Sequence, residues 1–175
     1  MSLEKLTQKA QEALQSARDT ATRYGHQEID GEHLLLALLE QADGLVPPLV
    51  DRMGTTTAAV KARVEEELSR IPKVSGGATE AGKLYVTQRF NRMLVKADDE
   101  AKRLKDEYIS VEHLLLALVD EGKSSPAGRI LAESRIERTR LLEQLKSICG
   151  NQRVTTDNPE QAYEALKKYG SDLVA

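Results

Sequence analysis

Two Glu-His pairs stand 80 positions apart in this chain, Glu32-His33 and Glu112-His113, and they are the first residues whose type and spacing could do chemistry. A histidine beside a carboxylate can hold a metal or pass a proton. Metal sites on one helical face use His-Glu-x-x-His, and each pair here supplies a single histidine with no nearby cysteine to complete four ligands. The spacing instead suits a histidine in the first turn of a helix, hydrogen-bonded to local structure, and no metal is assigned. Gly122-Lys123-Ser124 ends like a phosphate loop, but Ala117 stands where the first glycine of that motif belongs and the segment before it is helical in pattern. No Ser-His-Asp or Cys-His set stands out, so no catalytic and no cofactor-binding residue is assigned.

The carboxylates of Glu32 and Glu112 carry two readings. Each lies in the first turn of an expected helix, where a negative charge is favoured by about 0.3–1 kcal/mol through the helix dipole. Alternatively, an exposed carboxylate there, facing the start of the preceding helix near Thr7 or Thr87, could grip a cationic group on a bound peptide. Repetition would then make two equivalent docking points.

The elements that must position these residues are written twice. Ile29-Asp30-Gly31-Glu32-His33-Leu34-Leu35-Leu36-Ala37-Leu38-Leu39 returns as Ile109-Ser110-Val111-Glu112-His113-Leu114-Leu115-Leu116-Ala117-Leu118-Val119. Thr7-Gln8 likewise returns as Thr87-Gln88, and Ala21 and Arg23 as Ala101 and Arg103. Each copy must be one supersecondary unit, so the fold class is all-α: two pseudo-twofold-related four-helix repeats forming one globular domain, followed by a linker and a short helix. Repeat one covers residues 1–72, repeat two 83–149, and the linker with its short helix 150–175.

Apolar residues at three-four spacing predict a helix from Leu3 to Tyr24, capped by Ser2, and its counterpart from Leu84 to Leu104. Asp30 and Ser110 cap the next helices, whose Leu34–Leu39 and Leu114–Val119 bodies are apolar all round and therefore belong inside. Short helices are expected at Pro47–Met53 and Pro126–Glu133, with longer ones from Thr55 or Thr56 to Ile71 and from Ile136 to Cys149. Residues 72–82 read as a loop, Gly150–Pro159 as a linker and Pro159–Tyr169 as a last helix. No stretch carries a strand pattern. The run Lys96, Asp98, Asp99, Glu100, Lys102, Arg103, Lys105, Asp106 and Glu107 reads as a solvated helix face.

Composition narrows the function classes. A formal charge of −3, with both signs interspersed, offers no basic field for nucleic acid. The longest apolar run is far below the roughly 20 residues of a membrane span. One cysteine, Cys149, excludes an internal disulfide and suits a reducing, cytoplasmic setting, with the thiol in the core beside Ile148. A binding module is what remains.

The duplicated pattern Thr-Gln, Ala-x-x-x-Ala and Ile-x-x-Glu-His-Leu-Leu-Leu-Ala-Leu resembles the double Clp repeat at the N-terminus of Clp/Hsp100 AAA+ proteins. The tail, Gly150–Thr155 followed by Tyr163-Glu164-Ala165-Leu166-Lys167-Lys168-Tyr169-Gly170, is similar to the segment that joins this domain to the first ATPase module in the ClpB disaggregase branch. The resemblance implies a domain, not itself an enzyme, that engages unfolded or aggregated polypeptide and passes it to a homohexameric ATPase ring. ATP and Mg would serve that ring and not this fragment, which needs no cofactor. It implies peptide contacts at Thr7, Asp106 and Glu112, to which the repeat adds Glu32 and Thr87. In some relatives apolar residues line a groove on the helix corresponding to Leu84–Leu104, where this sequence departs with Lys96 and Glu100. Partners would be unfolded chains, the ring itself and other chaperones or adaptors, with the isolated domain monomeric and without nucleic acid or membrane. The alternative is an adaptor-docking or charged-tag-reading domain of a protease-coupled Clp ATPase.

Overall fold

A computed structural model describes residues 3–73 and 84–149. Residues 74–82 of the expected 72–82 loop, the Ser2 cap, the linker, the last short helix and the Cys149 side chain lie outside the described residues.

Repeat one holds α1 (Gln8–Arg23), α2 (Gly31–Glu40), α3 (Val46–Asp51) and α4 (Thr57–Arg70). Repeat two holds α5 (Gln88–Arg103), α6 (Val111–Asp120), α7 (Pro126–Glu133) and α8 (Arg138–Cys149). The all-α architecture of two four-helix repeats is as expected. Leu34, Leu35 and Leu38 of α2 and Leu114, Leu115, Leu116 and Leu118 of α6 are wholly buried, so the repeated apolar segments form the centre. Each such leucine gains roughly 1.5–3 kcal/mol on leaving water. The helices before them present small faces: Ala10, Ala13, Ala17 and Ala21 of α1 have no exposed surface, which lets α1 lie close on α2.

Several boundaries shift from expectation, each for a capping reason. The first helix starts at Gln8 and not near Leu3, because the Thr7 hydroxyl accepts the Ala10 N–H at 3.2 Å. Thr87 does the same for Phe90 at 3.0 Å and moves the start of α5 past Leu84. Residues Leu3–Lys5 form a single 3-10 turn. Thr56 caps α4, and Pro47 and Pro48 occupy the first turn of α3, where their missing N–H groups cost nothing.

One feature departs from the sequence reading outright. Glu28–Ile29 (β1) and Tyr85–Val86 (β2) pair in parallel, with the Tyr85 N–H donating to the Gln27 carbonyl at 2.9 Å and the Thr87 N–H to Ile29 at 3.2 Å. The pseudo-equivalent bridge joins Leu6 to Ile109, with the Thr7 N–H donating to the Ile109 carbonyl at 2.9 Å. The residues leading into the first helix of each repeat therefore bond to the residues leading into the second helix of the other. These crossed bridges lock the halves together and bring the starts of α1 and α6, and of α5 and α2, side by side.

Candidate functional site

The crossed bridges gather the five candidate residues into two corners. One holds Thr7 with Asp106 and Glu112, and the other holds Thr87 with Glu32. At both corners the helix begins with a histidine whose Nδ1 accepts a backbone N–H three residues upstream: Asp30 to His33 at 3.0 Å, Ser110 to His113 at 2.9 Å. The expected first-turn histidines, bonded locally, are thus present in both copies.

What faces the other ring nitrogen differs. His113 Nε2 lies 2.8 Å from the Asp106 carboxylate. His33 Nε2 instead meets His26 Nδ1 at 2.9 Å, and the His26 ring stacks on Tyr24. Burial, then the neighbouring His26, pushes the His33 pKa down to about 4. Burial would also lower His113, but the bond to Asp106 and the nearby Glu112 and Glu100 outweigh it and raise that group.

The expectation of exposed carboxylates is corrected here. Glu32 and Glu112 retain only 3% and 6% of their surface, because the start of α2 is covered by α6 and α7 and the start of α6 by repeat one. One oxygen of each, Glu32 Oε1 and Glu112 Oε2, has no hydrogen-bond partner among the described residues. Burial and then Asp30 push the Glu32 pKa up to about 7, against the pull of Arg89.

The corners also differ in their cation. Arg89 of α5 grips Asp30 through both arms of its guanidinium, Nε at 3.2 Å, and one nitrogen comes within 3.9 Å of Glu32. Glu121 approaches the same cluster; burial raises its pKa, and Oε1 carries no hydrogen bond among the described residues. At the other corner Lys9 turns away to Asp43 at 2.6 Å and to Glu12 at 3.6 Å. Arg89, His26 and Glu121, and the pairing of the cap residue Asp30 with Arg89, escaped the sequence reading, since their partners lie on other elements or have diverged between the copies.

The solvated helix face is corrected at two places. Glu100 is buried and bonds Arg138 at 2.8 Å and Arg103 at 3.1 Å, while Asp106 turns inward to His113. Glu100 is therefore absent from the outer face of α5. The large apolar residues that do reach solvent, among the described residues, are Tyr85, Val86, Val95 and Leu104, exposed by 62, 43, 58 and 39%. All four fall within residues 85–104. Between α4 and α7, by contrast, the surface cleft is lined by paired charges: Arg63 with Glu133, Arg129 with Glu67 and Arg70 with Glu66. No helix among the described residues is long and apolar enough to cross a membrane.

Comparison with known proteins finds the Clp repeat (R) N-terminal domain family matching residues 5–134. The chain is 49% identical over 174 residues to the chaperone protein ClpB of Nitratidesulfovibrio vulgaris, covering 99% of this chain and 20% of that protein. It is 46% identical over 175 residues to ClpB of Bacillus cereus, again spanning 20% of its length. The fold is similar to the Hsp104 N-terminal domain of Candida albicans, with a TM-score of 0.74 at 21% identity over 89% of this chain and 98% of that one. The N-terminal domain of the ClpV1 ATPase of Escherichia coli follows at 0.69 and 25% identity, over 90% and 92% of the two chains.

Proposed function

The chain belongs to the Clp repeat (R) N-terminal domain family, and on that premise we propose that it is the substrate-engaging N-terminal module of a ClpB-like disaggregase. It binds unfolded or aggregated polypeptide weakly and hands it to a homohexameric ATPase ring in the cytoplasm. ATP and Mg act in that ring. Residues 1–149 form the engaging domain, and 150–175 tether it. The similarity to the first fifth of the ClpB relatives supports this assignment.

The observation that carries the reading is the confinement of the exposed large apolar side chains to residues 85–104. Apolar surface left in water is unfavourable by about 25 cal/mol per Å², so covering it with an unfolded chain is favourable without any covalent step. Weak contacts suit a ring that presents several tethered copies, because effective concentration multiplies them and each copy can still release. Of the five candidate polar contacts, Thr7, Glu32 and Glu112 are buried and Asp106 is held by His113, so they shape the two corners from within, and Thr87, partly exposed beside Val86, is the one left to meet a bound chain. Burial of both glutamates counts against the charged-tag reader, which needs a carboxylate open to solvent.

Titration of the chain with a fluorescent, permanently unfolded protein and with the folded form of the same protein tests this. Saturable binding of the unfolded form alone, with little salt dependence, is expected. Equal binding of both forms, or of neither, overturns it.

A further inference from the structure

Among the described residues, the second repeat carries a strand edge without a partner, at the place where the first repeat covers its carbonyl with a side chain. Tyr85 and Thr87 direct their N–H groups at β1. In a parallel ladder the residue between them points its N–H and carbonyl the opposite way. That residue is Val86. Among the described residues the sheet has two strands, and no hydrogen bond reaches the Val86 main chain.

The pseudo-equivalent residue, Leu6, provides an internal control. Its bridge to Ile109 leaves its carbonyl facing outward too, but there the Gln11 side-chain amide donates to that carbonyl at 3.0 Å. At the matching place repeat two has Asn91, one methylene shorter, which makes no such bond. Leu6 is 2% exposed, whereas Val86 keeps 43% of its surface beside Tyr85. The fold thus shows what chemistry covers this edge when it is covered: an amide N–H, over an apolar side chain.

We propose that the outer edge of β2 accepts an extended segment of unfolded polypeptide as a third strand. The incoming backbone donates an N–H to the Val86 carbonyl and accepts the Val86 N–H, while its side chains rest on Tyr85 and Val86. Main-chain pairing is blind to sequence and the flanking contacts are apolar, the combination that capture of many different unfolded chains requires. This rests on the reading above and names the site and mode of engagement.

The test uses a soluble peptide of alternating valine and lysine. Two isomers of it are N-methylated at every second amide, in opposite phase. In an extended strand, alternate amides face one side. One isomer therefore keeps the pairing and the other loses it, binding roughly tenfold more weakly than the unmethylated peptide. Amide exchange at Val86, followed by NMR, slows when the peptide is added. Val86→Pro removes the outward N–H, while Val86→Ala keeps it and trims the apolar contact; the Tyr85 and Thr87 N–H groups remain in both, and the proline variant binds roughly three- to tenfold more weakly than the alanine variant. Unchanged exchange at Val86, or equal affinity of both isomers and the parent, overturns the proposal. If the wild-type chain binds unfolded protein while these probes show no edge dependence, only this inference falls; if it binds neither, the function proposed above falls with it.

Discussion

His26 Nδ1 lies 2.9 Å from His33 Nε2 in repeat one, at the place where repeat two sets the Asp106 carboxylate 2.8 Å from His113 Nε2. In both copies the cap N–H occupies Nδ1 of the helix histidine, so Nε2 carries the proton and donates it outward. His26 then has to accept at Nδ1, and its buried Nε2 makes no hydrogen bond among the described residues. A single divergence between the copies, His26 against Asp106, gives two otherwise matched histidines opposite responses to acid.

Repeat one should therefore be the acid-sensitive half. The folded pKa of His33, about 4, lies below its ordinary 6.5, so its contribution to stability is present above 6.5 and lost as pH falls through 4. His113 is raised, so its contribution is present below 6.5 and lost as pH rises through its folded value. NMR titration of the ring protons should place His33 far below His113. Asp106→Asn should lower His113 and leave His33 unchanged.

Glu32 works in the other direction. Its carboxyl is raised from 4.5 to about 7, so stability falls as pH climbs from 4.5 through 7, on the order of 3 kcal/mol at most. Urea unfolding of Glu32→Gln should match the parent below pH 4.5 and exceed it above 7. A variant less stable than the parent at pH 8 would mean that the Arg89 pair outweighs burial.

The turn into α7 depends on a missing side chain. A Cβ at Gly128 would stand 2.2 Å from the Gly122 carbonyl oxygen, a backbone atom with little room to move. Gly128→Ala should cost more than about 3 kcal/mol, beyond the range of ordinary substitutions. Thermal unfolding measures it.

The α5–α8 contact is held by a buried charge. Glu100 is 3% exposed and bonds both Arg138 and the more exposed Arg103. Arg138→Ala should cost about 3 kcal/mol, because it leaves the carboxylate half-paired in the interior. Arg103→Ala, at the surface end, should cost less than about 1 kcal/mol.

The duplicated Leu34–Leu39 and Leu114–Val119 segments made the centre of the fold legible, since a helix without a polar face has one place to go. The caps at Asp30 and Ser110 were equally plain, and the cap of α4 was narrowed to Thr55 or Thr56, of which Thr56 serves. β1 and β2 were not, because two residues contain no alternation and the partner strand lies in the other repeat. The burial of Glu32 and Glu112 was hidden for a related reason. First-turn carboxylates are ordinarily solvated, and only the crossed bridges that fold one repeat over the other cover these. The five candidate residues proved to be neighbours in two corners, but the pairings of Arg89 with Asp30 and of His26 with His33 needed coordinates.

An NMR titration of the isotopically labelled chain with an unfolded polypeptide tests the central claim most directly. Saturable shifts at Tyr85, Val86, Val95 and Leu104, weakened by Val95→Ser combined with Leu104→Ser, are the predicted result. Shifts confined to the ion-paired cleft around Arg63 and Glu133, or no shifts at all, would contradict it.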